Sequence, residues 1–162
     1  MKTTNNQLMK KYQEVAALLL RLAMAATFLS AIASRFNLWG NESSGWNGFI
    51  TYTAEVISFV PPRLIPLFAI LSTALEASFS ILLIVGFKTR WVALGAAILT
   101  LNFACAMAYS FGIKSPLDYS VFVDCAACLL LAVFPYYRWS IDAWLSGKLS
   151  NPYKFDNYNY AN

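Results

Sequence analysis

The sequence predicts an all-α membrane protein: a four-helix transmembrane bundle with both termini in the cytoplasm and a short interfacial helix in the first outer loop. Three observations predict it. The first is composition. Of 162 residues, 59% are hydrophobic and 12% charged, with a mean hydropathy of +0.53, whereas a soluble domain carries about 25% charged residues. A water-soluble chain this small and apolar could not cover its surface with polar groups, and disorder needs the opposite balance. The second is length. The apolar residues fall into four runs, at about 15–34, 64–87, 91–111 and 117–137, each long enough at about 1.5 Å per residue for a hydrocarbon layer of roughly 30 Å. The third is the charge pattern. Lys2, Lys10, Lys11, Lys88, Arg90, Arg138, Lys148 and Lys154 fall on one side of the spans, and only Arg35, Arg63 and Lys114 on the other. The positive-inside rule then puts both termini and the Lys88–Arg90 turn in the cytoplasm. Residues 1–146 form a single transmembrane domain, and residues 147–162 a polar, aromatic cytoplasmic tail.

The first run follows Lys10 and Lys11 and ends near an Ala-x-Ala-like Ala31–Ala33, so it mimics a secretory signal. Arg21 inside the apolar stretch, and its length, argue for a retained helix. Backbone groups in lipid must bond within the structure. Continuous Ala- and Leu-rich runs meet that need as helices, because barrel strands are about ten residues long and alternate. The first outer loop carries turn-forming Asn41, Ser43, Gly45 and Gly48 and headgroup-level aromatics Trp39, Trp46, Phe49 and Tyr52. Apolar residues recur from Phe49 to Val60, which predicts a short interfacial helix ended by Pro61 and Pro62. After the last run, Ser140 to Leu145 reads as a capped amphipathic turn. The net charge of +4 reflects orientation. No basic stripe with interleaved aromatics is present, so nucleic acid is not an expected partner.

Polar residues inside the spans carry the functional signal, because a mid-bilayer charge costs at least about 2.5–3.5 kcal/mol. Arg21, Glu76 and Asp124 are ionisable, and Asn102 joins them. On the second helix Ser72, Glu76 and Ser80 repeat at i, i+4 and i+8 and share a face. Asn102, Cys105 and Tyr109 form a related stripe on the third, and Ser120, Asp124 and Cys128 another on the fourth. The helices are expected to enclose a polar seam, with Glu76, Asn102 and Asp124 near one another and the Arg21 head reaching toward Glu76 or snorkelling to the headgroups. Two carboxyls against one nearby cation leave an excess negative charge, so at least one of Glu76 and Asp124 is expected to hold its proton and to handle protons in function. Buried polar groups that only join helices are the competing reading.

Cys125-Ala-Ala-Cys128 is a C-x-x-C pair on a membrane helix. One reading is a dithiol exchanging electrons with a quinone. The other is packing, because a thiol deep in lipid is a poor nucleophile and a good small hydrophobe. With no His in the chain, a metal site is not expected, and no flavin or nucleotide motif is present.

Several segments in fixed order carry a family resemblance. They are Leu19-Leu20-Arg21-Leu22, Ala33-Ser34-Arg35-Phe36, Leu75-Glu76-Ala77, Leu82 through Arg90, and Tyr137 through Trp144. Together they cover roughly residues 15–146, and in them the sequence resembles the DoxX family of small bacterial membrane proteins. The resemblance implies a four-helix bundle in the cytoplasmic (inner) membrane. For some members it implies a role as the membrane subunit of a thiosulfate:quinone oxidoreductase, and for others a part in maturing redox proteins. The Cys125/Cys128 pair and the Asn- and Tyr-rich tail depart from the family pattern.

Two functions follow as expectations. One is a quinone-linked redox membrane component working with a membrane or periplasmic redox subunit. Its quinone head would approach Glu76, Asn102 and Arg21, flanked by Ser72, Ser80 and Tyr109, and Glu76 or Asp124 would handle protons. The other is a non-enzymatic accessory or assembly subunit, or a carrier of a lipid or small molecule. Either could act as a homo-oligomer.

Overall fold

A computed structural model describes residues 2–147, with side chains from residue 7 onward. Apart from Gly147, the tail assigned to residues 147–162 lies outside the described residues, as do Lys148 and Lys154. The described chain is helical, and it runs through α1 (Lys2–Arg35), α2 (Gly45–Val56), α3 (Ile65–Val85), α4 (Thr89–Phe111), α5 (Lys114–Asp118), α6 (Val121–Val133) and α7 (Ile141–Leu145). Residues Gln7–Arg35, Pro62–Val85 and Thr89–Phe111 form three helices long and apolar enough to cross a membrane. Large side chains such as Leu19, Leu67, Ile70, Ile81, Ile98 and Val123 stand on the outside. An apolar exterior over a packed interior is what a bilayer selects, so this is a multi-pass membrane protein.

The fourth span differs from the sequence expectation. In place of one helix over 117–137, the chain forms the short α5, a break, and then α6 of 13 residues. At about 1.5 Å per residue α6 measures about 20 Å and does not cross a roughly 30 Å layer by itself. The break falls at Ser120, whose φ of 57° is left-handed. At the other end Phe134 is extended, with ψ 136°, because the ring of Pro135 disfavours helical backbone in the residue before it. Leu131 O accepts from Phe134 N at 3.3 Å and from the Tyr137 hydroxyl at 2.7 Å, which ties the following segment to the end of the helix.

The main packing pairs are α1 with α3 and α4 with α6, joined by α3 with α4 and α1 with α6. The four therefore close into a ring. In the loop where an interfacial helix is expected the chain forms α2, starting at Gly45 and ending at Val56, four residues earlier than the sequence placed its end. It lies against α1, α3 and α4. In the half of the bundle near Lys88 the interior is solid. Met24, Phe28, Leu83, Cys128 and Leu131 interlock there with Ala93, Ala96 and Ala97 of α4. Those alanines let α6 approach closely, the way membrane helices gain packing contacts without a hydrophobic driving force. The opposite half holds a cavity.

One knot fastens the solid end. α3 stops at Gly86, whose φ of 69° is left-handed, and the N–H groups of Gly86 and Phe87 both return to Leu82 O, at 2.9 and 3.1 Å. Asp142 accepts from Lys88 N at 2.6 Å and Thr89 N at 2.8 Å and so caps α4, while its own N–H donates to Gly86 O at 3.0 Å. A Cβ at Gly86 would stand 2.4 Å from the Ser140 Cβ and 2.7 Å from Arg21 Nη2. Gly86→Ala combines a left-handed penalty with overpacking and is expected to cost roughly 2–4 kcal/mol, read by equilibrium unfolding in mixed micelles. A stability unchanged from the parent would show that Ser140 and Arg21 yield freely there.

Candidate functional site

The cavity occupies about 630 Å³ between α1, α3, α4 and the start of α6, with α2 along one side. Aromatic and aliphatic side chains, among them Phe28, Tyr52, Phe68, Leu75, Phe103 and Met107, make most of its wall. The polar groups that reach it are fewer. Thr27 and Arg35 come from α1, the Tyr52 hydroxyl and Thr53 from α2, Ser72 and Glu76 from α3, Thr100 and Asn102 from α4, and Asp124 from α6.

At its polar edge lies a buried ion pair. Arg35 Nη2 is 2.8 Å from Glu76 Oε1, and Arg35 Nη1 donates to Thr73 Oγ1 at 2.7 Å. The Phe49 ring of α2 covers the guanidinium, with its centroid 3.8 Å from Cζ. Arg35 is 6% exposed and Glu76 2%. The pairing follows from local structure. Arg35 is the last residue of α1, so its long arm can turn back along the helix into the protein. Glu76 lies mid-way along α3, on the face shared with buried Ser72 and Ser80. Ser80 Oγ donates to Glu76 O at 2.7 Å and holds the turn below. The second carboxylate oxygen, Oε2, is buried and has no hydrogen-bond partner. In a low-dielectric interior an unsatisfied polar atom is expensive, and a donor brought to it, from water or a ligand, would relieve that cost.

Arg35 is the member the sequence reasoning missed. It was counted as an outer-loop charge by its place after the apolar run. The available signal was its inclusion in the Ala33-Ser34-Arg35-Phe36 segment.

Arg21 does not approach Glu76. It is 1% exposed, and its fork faces the solid end. Nε donates to Leu83 O at 2.9 Å and Nη2 to Ile84 O at 3.0 Å, with longer contacts of 3.4 and 3.5 Å to Trp139 O. A cation on the open carbonyls of a helix C-terminus is in its favoured place. Its role is to join α1, α3 and the segment before α7, and the expected contact with a quinone head is withdrawn.

Glu76, Asn102 and Asp124 line the same cavity. Asn102 is open to that space and donates from Nδ2 to Ile98 O at 2.9 Å. Ser72 also reaches it, whereas Ser80 sits deeper in the packing. Tyr109 is outside the site. It is 73% exposed and meets Phe59 edge-on, with ring centroids 5.2 Å apart. Cys125 and Cys128 are free thiols in the α4–α6 core, with Cys125 Sγ 3.4 Å from Ala97 O. Neither lines the cavity, so a dithiol working directly on its occupant has no geometry here.

Pockets for small molecules typically span about 300–1,000 Å³, with mostly apolar walls and a few placed polar groups. This cavity has that character. It can take an amphipathic molecule with a polar head at Arg35–Glu76 and an apolar body against the aromatic wall. Comparison with known proteins gives a match to the family model described as DoxX over residues 16–109. No curated protein and no solved structure matches the chain.

Proposed function

Because the chain belongs to the DoxX family, we propose that it is a membrane component that binds an isoprenoid quinone in the cavity beside Arg35 and Glu76, in the service of a redox partner. The observation that carries this reading is a single cavity with an apolar wall, a buried cation–carboxylate pair at its polar edge, and an unpartnered carboxylate oxygen. A bound quinone supplies two-electron, two-proton chemistry. The protein's own part is to orient the head and to exclude water. Arg35 holds Glu76 in place through Oε1, which leaves Oε2 for the ligand. Asp124 and Glu76 are the proton-handling groups of the site.

The bias of Lys and Arg supports an orientation with both termini and the Lys88–Arg90 turn in the cytoplasm. The cavity then lies in the outer half of the inner membrane, beneath α2, where a membrane or periplasmic redox subunit delivers electrons. The chain has no flavin or haem motif of its own, so the electron carrier belongs to that partner.

The test is equilibrium binding of a short-tailed benzoquinone to the protein in nanodiscs. Saturable binding is expected, with Ala106→Trp abolishing it, since Ala106 lines the cavity away from the ion pair and the added indole fills the space. Absence of binding to the parent protein, together with recovery of phospholipid alone from the purified material, would replace this reading with that of a lipid-binding accessory subunit.

A further inference from the structure

The groups left open at the cavity's buried polar edge are carboxyl oxygens, and from this we infer that the site selects a ligand whose head donates hydrogen bonds: a hydroxyl-bearing, uncharged head. Within the quinone reading above, on which this inference rests, the preferred occupant is the reduced quinol and the oxidised dicarbonyl binds more weakly.

The hydrogen bonds of the lining carry the argument. Thr53 Oγ1 donates to Phe49 O at 2.7 Å, Ser72 Oγ to Ala69 O at 3.1 Å, Thr100 Oγ1 to Ala96 O at 2.9 Å, and Asn102 Nδ2 to Ile98 O at 2.9 Å. Each of these groups bonds back onto its own helix, and the Tyr52 hydroxyl and the second N–H of Asn102 remain as donors in the lining. Arg35 directs its two terminal nitrogens at Thr73 and Glu76. On the acceptor side, Glu76 Oε2 is buried and without a partner. The Asp124 carboxyl lines the same space and makes no ion pair among the described residues.

An ionised carboxylate only accepts. Paired with Arg35 through Oε1, Glu76 presents Oε2 as an acceptor that a ligand carbonyl cannot satisfy and a ligand hydroxyl can. A head that carries negative charge is excluded by the same groups. A hydrogen bond to a charged group is among the stronger ones, and leaving such a group buried and unmade is costly. The reduced form is thus expected to bind at least about tenfold more tightly than the oxidised form.

The experiment measures anaerobic binding of decyl-benzoquinone and decyl-benzoquinol, which share one tail, to the protein in nanodiscs. The expected result is the tenfold preference for the quinol, with a quinol-induced shift of a carboxylate infrared band. In Glu76→Gln, whose amide supplies a donor, the preference should shrink to less than about threefold. Equal binding of the two forms by the parent protein, or tighter binding of the quinone, overturns the inference and leaves the quinone reading standing. Binding of neither form overturns that reading and this inference with it. If Glu76→Gln does not fold, the infrared band of the parent protein decides: a quinol that binds without perturbing a carboxylate overturns the inference.

Discussion

Arg21→Met is expected to lower the stability of the bundle by about 3–5 kcal/mol. The arithmetic comes from two short bonds. Nε to Leu83 O and Nη2 to Ile84 O are 2.9 and 3.0 Å long, and a bond from a charged donor contributes about 1.5–3 kcal/mol. Removing the donor leaves carbonyls at the end of α3 without a partner in a place where water is scarce. Methionine keeps the stem, so the loss reports the head group and not the packing. Arg21→Lys is expected to recover less than half, since one ammonium cannot reproduce a planar fork over several carbonyls. Equilibrium unfolding in mixed micelles measures both. A loss below about 1 kcal/mol for Arg21→Met would place the strength of the knot elsewhere, in the Asp142 cap.

The second large effect is at the cavity. Arg35→Met is expected to cost about 3–5 kcal/mol, because it strands Glu76 as an uncompensated buried charge. Glu76→Met, by the same reasoning, strands Arg35. The double variant Arg35→Met/Glu76→Met is expected to return to within about 1 kcal/mol of the parent, since a buried pair replaced by apolar groups of like size is often neutral. Binding of a quinone probe should be lost in all three. That pattern separates a ligand site from a structural pair. A double variant that folds normally and still binds the probe would mean that the head group of the ligand lies elsewhere in the cavity.

The parts of this architecture that a sequence can show are those set by periodicity. Three of the four apolar runs became long helices, the second and third at nearly the residues read from hydropathy and the first within a helix that begins much earlier, at Lys2. The Ser72–Glu76–Ser80 face turned inward because buried polar side chains at i, i+4 spacing have only one place to go in lipid. The fourth run misled because hydropathy does not see backbone geometry. Ser120 takes a left-handed conformation inside an otherwise continuous apolar stretch. Pro135, whose effect on Phe134 is local and general, was the available sign that the helix ends early. Arg35 and Arg21 exchanged their expected roles for a related reason. Depth was counted at the Cα, and an arginine arm carries its charge more than a helical turn from there, in either direction. Tyr109 shares the face of Asn102 but lies about two turns further along α4, past the cavity's lining, where its side chain is exposed.

The Arg21 contacts also constrain biogenesis. Arg21 enters the membrane with the first helix, but Leu83, its acceptor, lies 62 residues further along the chain, and Trp139 lies 118 residues further. At about 5–20 residues per second, ribosomal synthesis leaves the guanidinium without its native acceptors for roughly 3–12 s. During that interval the first helix carries a charge whose mid-bilayer cost nothing in the nascent chain offsets. It therefore has to wait near the insertion channel or the interface until α3 arrives, and the segment around Trp139 locks the assembly last.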